Sequence, residues 1–291
     1  MGKIIVTGAS GHLGSAAIRH LIDLGVQAGD IVGIVRDKEK AAPLAELGVE
    51  LRLGDYDNAA SLPAAFEGGE KLLFVSASSM DNTLRIRQHA TVVEAARNAG
   101  IKHIAYTGIA FGERMTIGLE NVHLATEYMI RTTGADYTFL RNGFYLELLV
   151  NEGTPGIAAS GAVISAAPTG KLNYVTRDNL ARAAAVVLTK EGHANKIYEL
   201  TAPQPFSYDE YAAVLSEVSG KPVAHKALPA AEAVSTLVSA GVPEGGAGFL
   251  IHVIDGAIER GEFAHPSNDL VDLIGDAYTP LKSAAGAVFK G

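Results

Sequence analysis

The stretch VTGASGHLG, residues 6–14, overlaps the end of the apolar run KIIVT at 3–7 and leads into residues with helical apolar spacing. It sets Gly8, Gly11 and Gly14 in the pattern G-x-x-G-x-x-G at a strand-to-helix turn. In a dinucleotide-binding turn of this kind the first glycine makes the tight bend and the second leaves room for a pyrophosphate against backbone N–H groups. The third lets the helix pack close to the strand. The helix start adds a partial positive charge facing the phosphates. Ser10, His12 and Leu13 complete the turn and are expected along the cofactor, with His12 read as an exposed loop residue rather than a catalyst. Because 32 of 291 residues are glycine, the position between strand and helix carries this reading, against the alternative of a turn that only packs well.

Working outward, apolar runs of strand length alternate with stretches of helical period. The expected strands are 3–7, 31–35, 50–54, 71–75, 103–107 and 137–141, with helices near 12–24, 38–47, 58–66, 82–99 and 120–133. That rhythm predicts an α/β fold with a Rossmann-type doubly wound parallel sheet. After Tyr145 the rhythm loosens, and NEGTPGIAASG at 151–161 has the composition of a loop, which puts a boundary near 150. The expected organisation is a cofactor-binding unit over 1–150 and a smaller mixed α/β substrate region over 151–291, some of whose segments return to the sheet. Within the latter, a helix around 177–190, a strand at 196–201, a helix opening at SYDE (207–210), a short strand near 223–226 and further helices are expected.

Composition narrows the class. Hydrophobic residues are 48% and charged residues 19%, which excludes disorder and fibrous repeats. With no cysteine there is no disulfide, thiolate metal site or cysteine nucleophile. No stretch reaches the ~20 apolar residues of a membrane helix, and the start has no apolar run of signal-peptide length, so the cytoplasm is the expected setting. A net charge of −8 argues against nonspecific nucleic-acid binding.

The second strand chooses the cofactor. An NAD-binding chain tends to carry Asp or Glu about 20 residues past the glycines to accept from the ribose 2′-hydroxyl. Here IVGIVRDKEK (31–40) puts Arg36 there, 22 residues past Gly14, suited to a 2′-phosphate. Asp37 is one residue late, and Lys38 or Lys40 adds to the field, so NADPH is expected; the bland alternative is a solvated Arg36 at a helix start. Two more strand ends point to the same cleft: GDYDN (54–58) would lay Asp55 and Tyr56 along the adenine, and VSASS (75–79) would bring Ser76 and its neighbours to the ribose and nicotinamide side, the alternative for both being a plain N-cap or loop.

VHLATEYMI (122–130) has helical spacing and sets His123 and Glu127 on one face. Two ligands on one helix are too few for a metal, and none is expected. A solvated or cleft-edge polar pair is the main reading. His123 as proton donor to a substrate oxygen is the sharper one.

The glycine turn and Arg36, followed in order by DNTLRIRQHATVVEAARNAGIKHIAYTG (81–108), HLATEYMIRTTGADYTFLRNGFY (123–145) and VTRDNLARAAA (175–185), give a chain that resembles the atypical short-chain dehydrogenase/reductases. Within them it looks like the NmrA-like branch, and is similar to triphenylmethane reductases and to type 2 NAD(P)H:quinone oxidoreductases. The resemblance implies an NADPH-dependent reductase of a planar aromatic substrate, with Asn142 and Tyr145 as cofactor or substrate contacts, Phe144 as a pocket wall at the substrate, and Tyr145 joining His123 as a catalytic candidate; a buried Tyr145 with a satisfied hydroxyl is the alternative. A homodimer is the expected assembly.

Ordinary short-chain dehydrogenases carry Tyr-x-x-x-Lys on the helix after the fifth strand, where this chain has His123 and Glu127. A ketone reduced to an alkoxide needs that acid. A quinone gives a stabilised phenolate and a triarylmethyl cation gives a neutral product, so neither demands a protein acid. The branch also holds dinucleotide-binding redox sensors without catalysis, the alternative reading of the same substitution.

Overall fold

The structure is a computed structural model that describes residues 2–290. Strands β1 (Lys3–Val6), β2 (Ile31–Val35), β3 (Glu50–Leu53), β4 (Gly69–Phe74), β5 (His103–Ile109), β6 (Asp136–Asn142) and β7 (Lys196–Leu200) form one parallel sheet. Their order is β7-β6-β5-β4-β1-β2-β3. Helices α1 (His12–Asp23), α2 (Ala42–Glu46), α3 (Leu62–Phe66), α4 (Asn82–Asn98) and α5 (Leu119–Arg131) connect the strands.

Both faces of the sheet's centre are covered, so β1 and β2 read as apolar runs, whereas the edge strand β3 (ELRL) alternates and is only half-buried. Ile4 and Val6 of β1 pack on one side with Leu13, Ile18 and Leu21 of α1, while Ile5 packs on the other with Phe66, Leu72, Phe74 and Val92. This is the two-residue side-chain period of a strand. The second and third helices are shorter than expected because Pro43 and Pro63 each occupy a first helical turn, preceded by 3-10 turns at Glu39–Ala41 and Ala59–Ser61. Proline fits a helix start and not its interior.

Segments beyond residue 150 return to the sheet. β7 pairs in parallel with β6 from Lys196↔Thr138 to Leu200↔Asn142. The stretch 151–161 is not a loop: α6 (Thr154–Ser160) fills it, with Pro155 in its first turn and Gly161 at φ 75° closing it. Proline at a helix start and glycine past its end are helix punctuation, which composition alone reads as loop. α7 (Arg177–Thr189) lays Leu180, Ala181, Ala184 and Leu188 into the core with Leu13, Ala17 and Leu21 of α1. α8 (Tyr208–Ser219) opens with the expected capping box, Ser207 Oγ accepting from the Glu210 N–H at 3.1 Å and Glu210 Oε2 from the Ser207 N–H at 2.7 Å. The short strand falls at Ala224–Ala227 and pairs with Ala162–Ser165. These elements and a π-helical turn at Phe249–Asp255 enclose a separate apolar core around Tyr174, Tyr211, Ile254, Ile258 and Phe263. Among the described residues no helix is long and apolar enough to cross a membrane.

Candidate active site

The chain leaves β1 for β2 on one side and later lays β4 on the other, so a crevice opens at the carboxyl ends of the strands. A cleft of about 380 Å³ lies there. Ligand sites commonly hold ~300–1,000 Å³. Gly8, Ser10, Gly11, His12, Leu13 and Gly14 line it at one side, Arg36, Asp55 and Tyr56 at another, and Ser76 and Tyr145 at the far end.

The glycine turn is shaped by its own backbone. Gly8 is left-handed at φ 59°. A Cβ on Gly14 would run into the Gly8 carbonyl, so only glycine lets α1 approach that closely. Gly11 caps α1 without any side-chain hydrogen bond, which leaves the first-turn N–H groups free for an external anion. Arg36 is exposed at the cleft, whereas Asp37 turns back to accept the Glu39 N–H at 2.9 Å. Asp37 is thereby spent on the turn, while Arg36 lines the cleft and Lys38 and Lys40 do not. Tyr56 is held by its hydroxyl, which donates to the Val75 carbonyl at 2.8 Å, and Asp55 accepts the Asp57 N–H at 3.1 Å.

The far end rests on tied strand ends. Thr7 Oγ1 accepts the Val75 N–H at 2.9 Å and Thr107 Oγ1 accepts the Ser76 N–H at 3.0 Å, joining β1, β4 and β5. Tyr145 has the Arg177 guanidinium 4.2 Å from its ring centroid, and Arg177 is paired with Glu147 at 3.2 Å. Burial pushes the Tyr145 hydroxyl up, against the pull of Arg177, so it stays protonated near neutral pH.

Behind Ser76 lies a buried polar row. The Ala77 N–H donates to His89 Nε2 at 2.9 Å, so that nitrogen carries no proton and Nδ1–H donates to Thr126 Oγ1 at 2.7 Å. Tyr106 hydroxyl lies 2.8 Å from His123 Nδ1. Burial, helped by Arg85, pulls His89 down to about 3 and His123 well below its usual range.

The other expected residues stand elsewhere. His123 and Glu127 are neither solvated nor at the cleft edge: they are 5% and 4% exposed. His123 is neutral and faces Tyr106, and Glu127 takes a two-pronged bond from Arg141 at 2.8 Å on each oxygen. Phe144 does not line the cleft; its ring packs on Phe263 at 4.5 Å in a space of about 10 Å³, too small for more than a water. Phe144 and Tyr145 are adjacent in an extended pair, so they point to opposite sides. Asn142 is buried beside the cleft rather than lining it, with neither carboxamide atom hydrogen-bonded. Ser78 and Ser79 line the cleft as neighbours of Ser76, and Arg177 and Gln88 line it without having been singled out from the sequence, although VTRDN does carry the Thr176 cap that places Arg177.

Away from the cleft, Ser165 Oγ lies 2.7 Å from His225 Nε2, and His225 Nδ1 lies 3.1 Å from Asp209. Ser165 is fully buried and lines neither cavity, so this row joins strand to helix rather than attacking a substrate.

Comparison with known proteins agrees with this geometry. Residues 1–274 match the model of the NmrA-like family. Triphenylmethane reductase of Citrobacter sp., solved with NADP(H), is 52% identical with a TM-score of 0.94, covering 98% of this chain and 99% of that one. Quinone oxidoreductase 2 of Escherichia coli is 38% identical over 98% of both chains. Its structure with NADPH gives a TM-score of 0.90, covering 98% of this chain and 99% of that one. An NAD(P)H azoreductase of Xenophilus azovorans is 30% identical over 83% of this chain and 82% of its own.

Proposed function

Because the chain belongs to the NmrA-like family, we propose that it is an NADPH-dependent reductase transferring hydride to a planar conjugated electrophile, a quinone or a triphenylmethane dye. The carrying observation is the cleft at the strand switch point, which presents uncapped N–H groups at one wall and a free Arg36 at another. The quinone, dye and azo activities in the names of its relatives support the acceptor class.

The bound cofactor supplies the hydride. The start of α1 receives the pyrophosphate, Arg36 forms a charge-assisted pair with the 2′-phosphate, and Asp55 and Tyr56 wall the adenine side. Ser76 and Tyr145 bound the far end, where an acceptor is held against the nicotinamide and proximity supplies the rate. The helix that would carry Tyr-x-x-x-Lys holds a neutral His123 and an ion-paired Glu127, both away from the cleft. Acceptors whose products need no strong acid suit this arrangement.

NADPH oxidation followed against a quinone, a cationic dye, an aliphatic ketone and no acceptor tests the proposal. Turnover is expected with the first two only. Tight NADPH binding with no turnover on any acceptor would favour a redox-sensing regulator, and rapid ketone reduction would require an acid in the cleft. The same proposal places the chain in the cytoplasm as a homodimer that leaves nucleic acid alone; its charge of −8 supports the last point, and light scattering checks the dimer.

A further inference from the structure

Arg85, on α4, is a buried cation without a counter-ion. It is 9% exposed, its Nε has no hydrogen-bond partner, and among the described residues no carboxylate pairs with it. Its one bond runs from Nη2 to Ser76 Oγ, at 2.5 Å. An isolated buried charge is expensive, and such charges are normally paired. Arg141, equally buried, has three carboxylates around it. The contrast shows that this chain pairs its other buried guanidinium and leaves this one open.

Ser76 connects that charge to the cleft it lines. Its oxygen accepts from Arg85, which leaves its own proton to donate. The acceptors in reach are poor: the Ala77 carbonyl at 3.4 Å and His89 Nε2 at 3.3 Å, the latter already taken by the Ala77 N–H. The hydroxyl can therefore turn to an oxygen in the cleft, with the guanidinium strengthening it as a donor. Nearby Tyr145 also lies in the field of Arg85.

We infer that Arg85, acting through the Ser76 hydroxyl, selects acceptors that become anionic on taking up hydride and works against acceptors that arrive as cations. This rests on the reductase reading above and narrows it to quinones over triphenylmethane dyes. A neutral quinone takes a hydride from the reduced nicotinamide, which leaves oxidised, and becomes a phenolate that later takes a proton from water. The negative charge appears on an oxygen, where Ser76 and Arg85 stabilise it as it develops. A dye cation takes the same hydride and becomes neutral. Arg85 repels it as it binds, and the repulsion is relieved only as hydride neutralises it, so relative to the free dye Arg85 adds a penalty and no stabilisation.

Arg85→Gln removes the charge while keeping an N–H for Ser76, and Arg85→Lys keeps the charge. A unit charge acting across a partly dry cleft changes affinity or rate by about tenfold. In Arg85→Gln, kcat/KM for a neutral quinone is expected to fall by roughly that factor and to rise for a cationic dye. Arg85→Lys should stay near the parent. A second readout involves no turnover: absorbance titration of the dye into protein saturated with NADP+ should show about tenfold tighter binding in Arg85→Gln. NADPH affinity, by fluorescence, should hold. An unchanged quinone-to-dye ratio and dye affinity in a parent that turns over would overturn this inference and leave the reductase reading standing. Loss of NADPH affinity in Arg85→Gln with equal loss on both acceptors would overturn it too, making Arg85 a cofactor residue. A parent that oxidises NADPH with neither acceptor overturns both.

Discussion

Gly11 and Gly14 stand in the same turn and are glycine for different reasons, which a pair of substitutions separates. Gly11 sits at φ −84°, ψ 164°, a conformation open to any residue, and a Cβ there would stand 3.2 Å from the Gly8 carbonyl, so Gly11→Val should still fold after a small shift of that carbonyl and lose NADPH binding because its side chain occupies the pyrophosphate's place. Gly14→Val meets the Gly8 backbone and should cost ~1–3 kcal/mol or more in urea melts. Retained NADPH affinity in Gly11→Val, read by fluorescence titration, would show the turn to be only structural. Arg36 stands exposed at the cleft while Asp37 is bound to its own turn. A charge-assisted contact is worth roughly 1.5–3 kcal/mol, so Arg36→Ala should weaken NADPH by about 10- to 150-fold and leave NADH nearly unchanged. Equal loss for both cofactors would refute the 2′-phosphate assignment.

At the scale of elements, Arg141 of β6 binds Glu127 of α5, Glu199 of β7 and Glu113 from the turn after β5, at 2.7–2.9 Å. Glu127 is buried, so removing the cation strands a carboxylate in the interior. Arg141→Met is expected to destabilise by ~3–5 kcal/mol in denaturant melts; an unchanged midpoint would contradict a structural role. This cluster also shows what was legible in the sequence. The spacing of His123 and Glu127 placed both on one face of a helix, correctly, but the face's partners lie on strands 14 and more residues away, and spacing says nothing of them. β1, β2 and β4 were legible because two-sided burial writes an apolar run, the edge strand β3 (ELRL) by its alternation instead, and the glycine turn because only glycine fits it. β7 was legible as a strand but not as the sheet's edge, since period identifies an element and not its neighbour. Phe144 and Tyr145 were read together where strand geometry separates them, and Arg85 carried no local pattern at all.

For the whole molecule, two imidazoles buried without charge set an acid limit. His89 is pulled down to about 3 and His123 also lies well below its usual range. Below about pH 6.5 the unfolded chain takes up these protons and the folded one does not, so stability present at neutral pH is lost as pH falls toward the folded values. The slope reaches ~1.4 kcal/mol per pH unit for each imidazole. Urea melts at successive pH values from neutral to mildly acidic should show this loss, and His89→Gln should remove the part of the slope that His89 contributes, leaving that of His123 and of the less buried His103, His193 and His265. A variant slope equal to the parent's would contradict neutral burial of His89. Hydride delivery from NADPH directly to the acceptor, with no proton from the protein, is the claim on which the functional reading turns. A single turnover of a cationic triphenylmethane dye with NADPH dideuterated at nicotinamide C4, analysed by mass spectrometry, tests it directly. One deuterium at the central carbon of the reduced dye is expected, in ordinary water and with none entering from heavy water when the cofactor is unlabelled; a reduced dye that takes that hydrogen from solvent would contradict it.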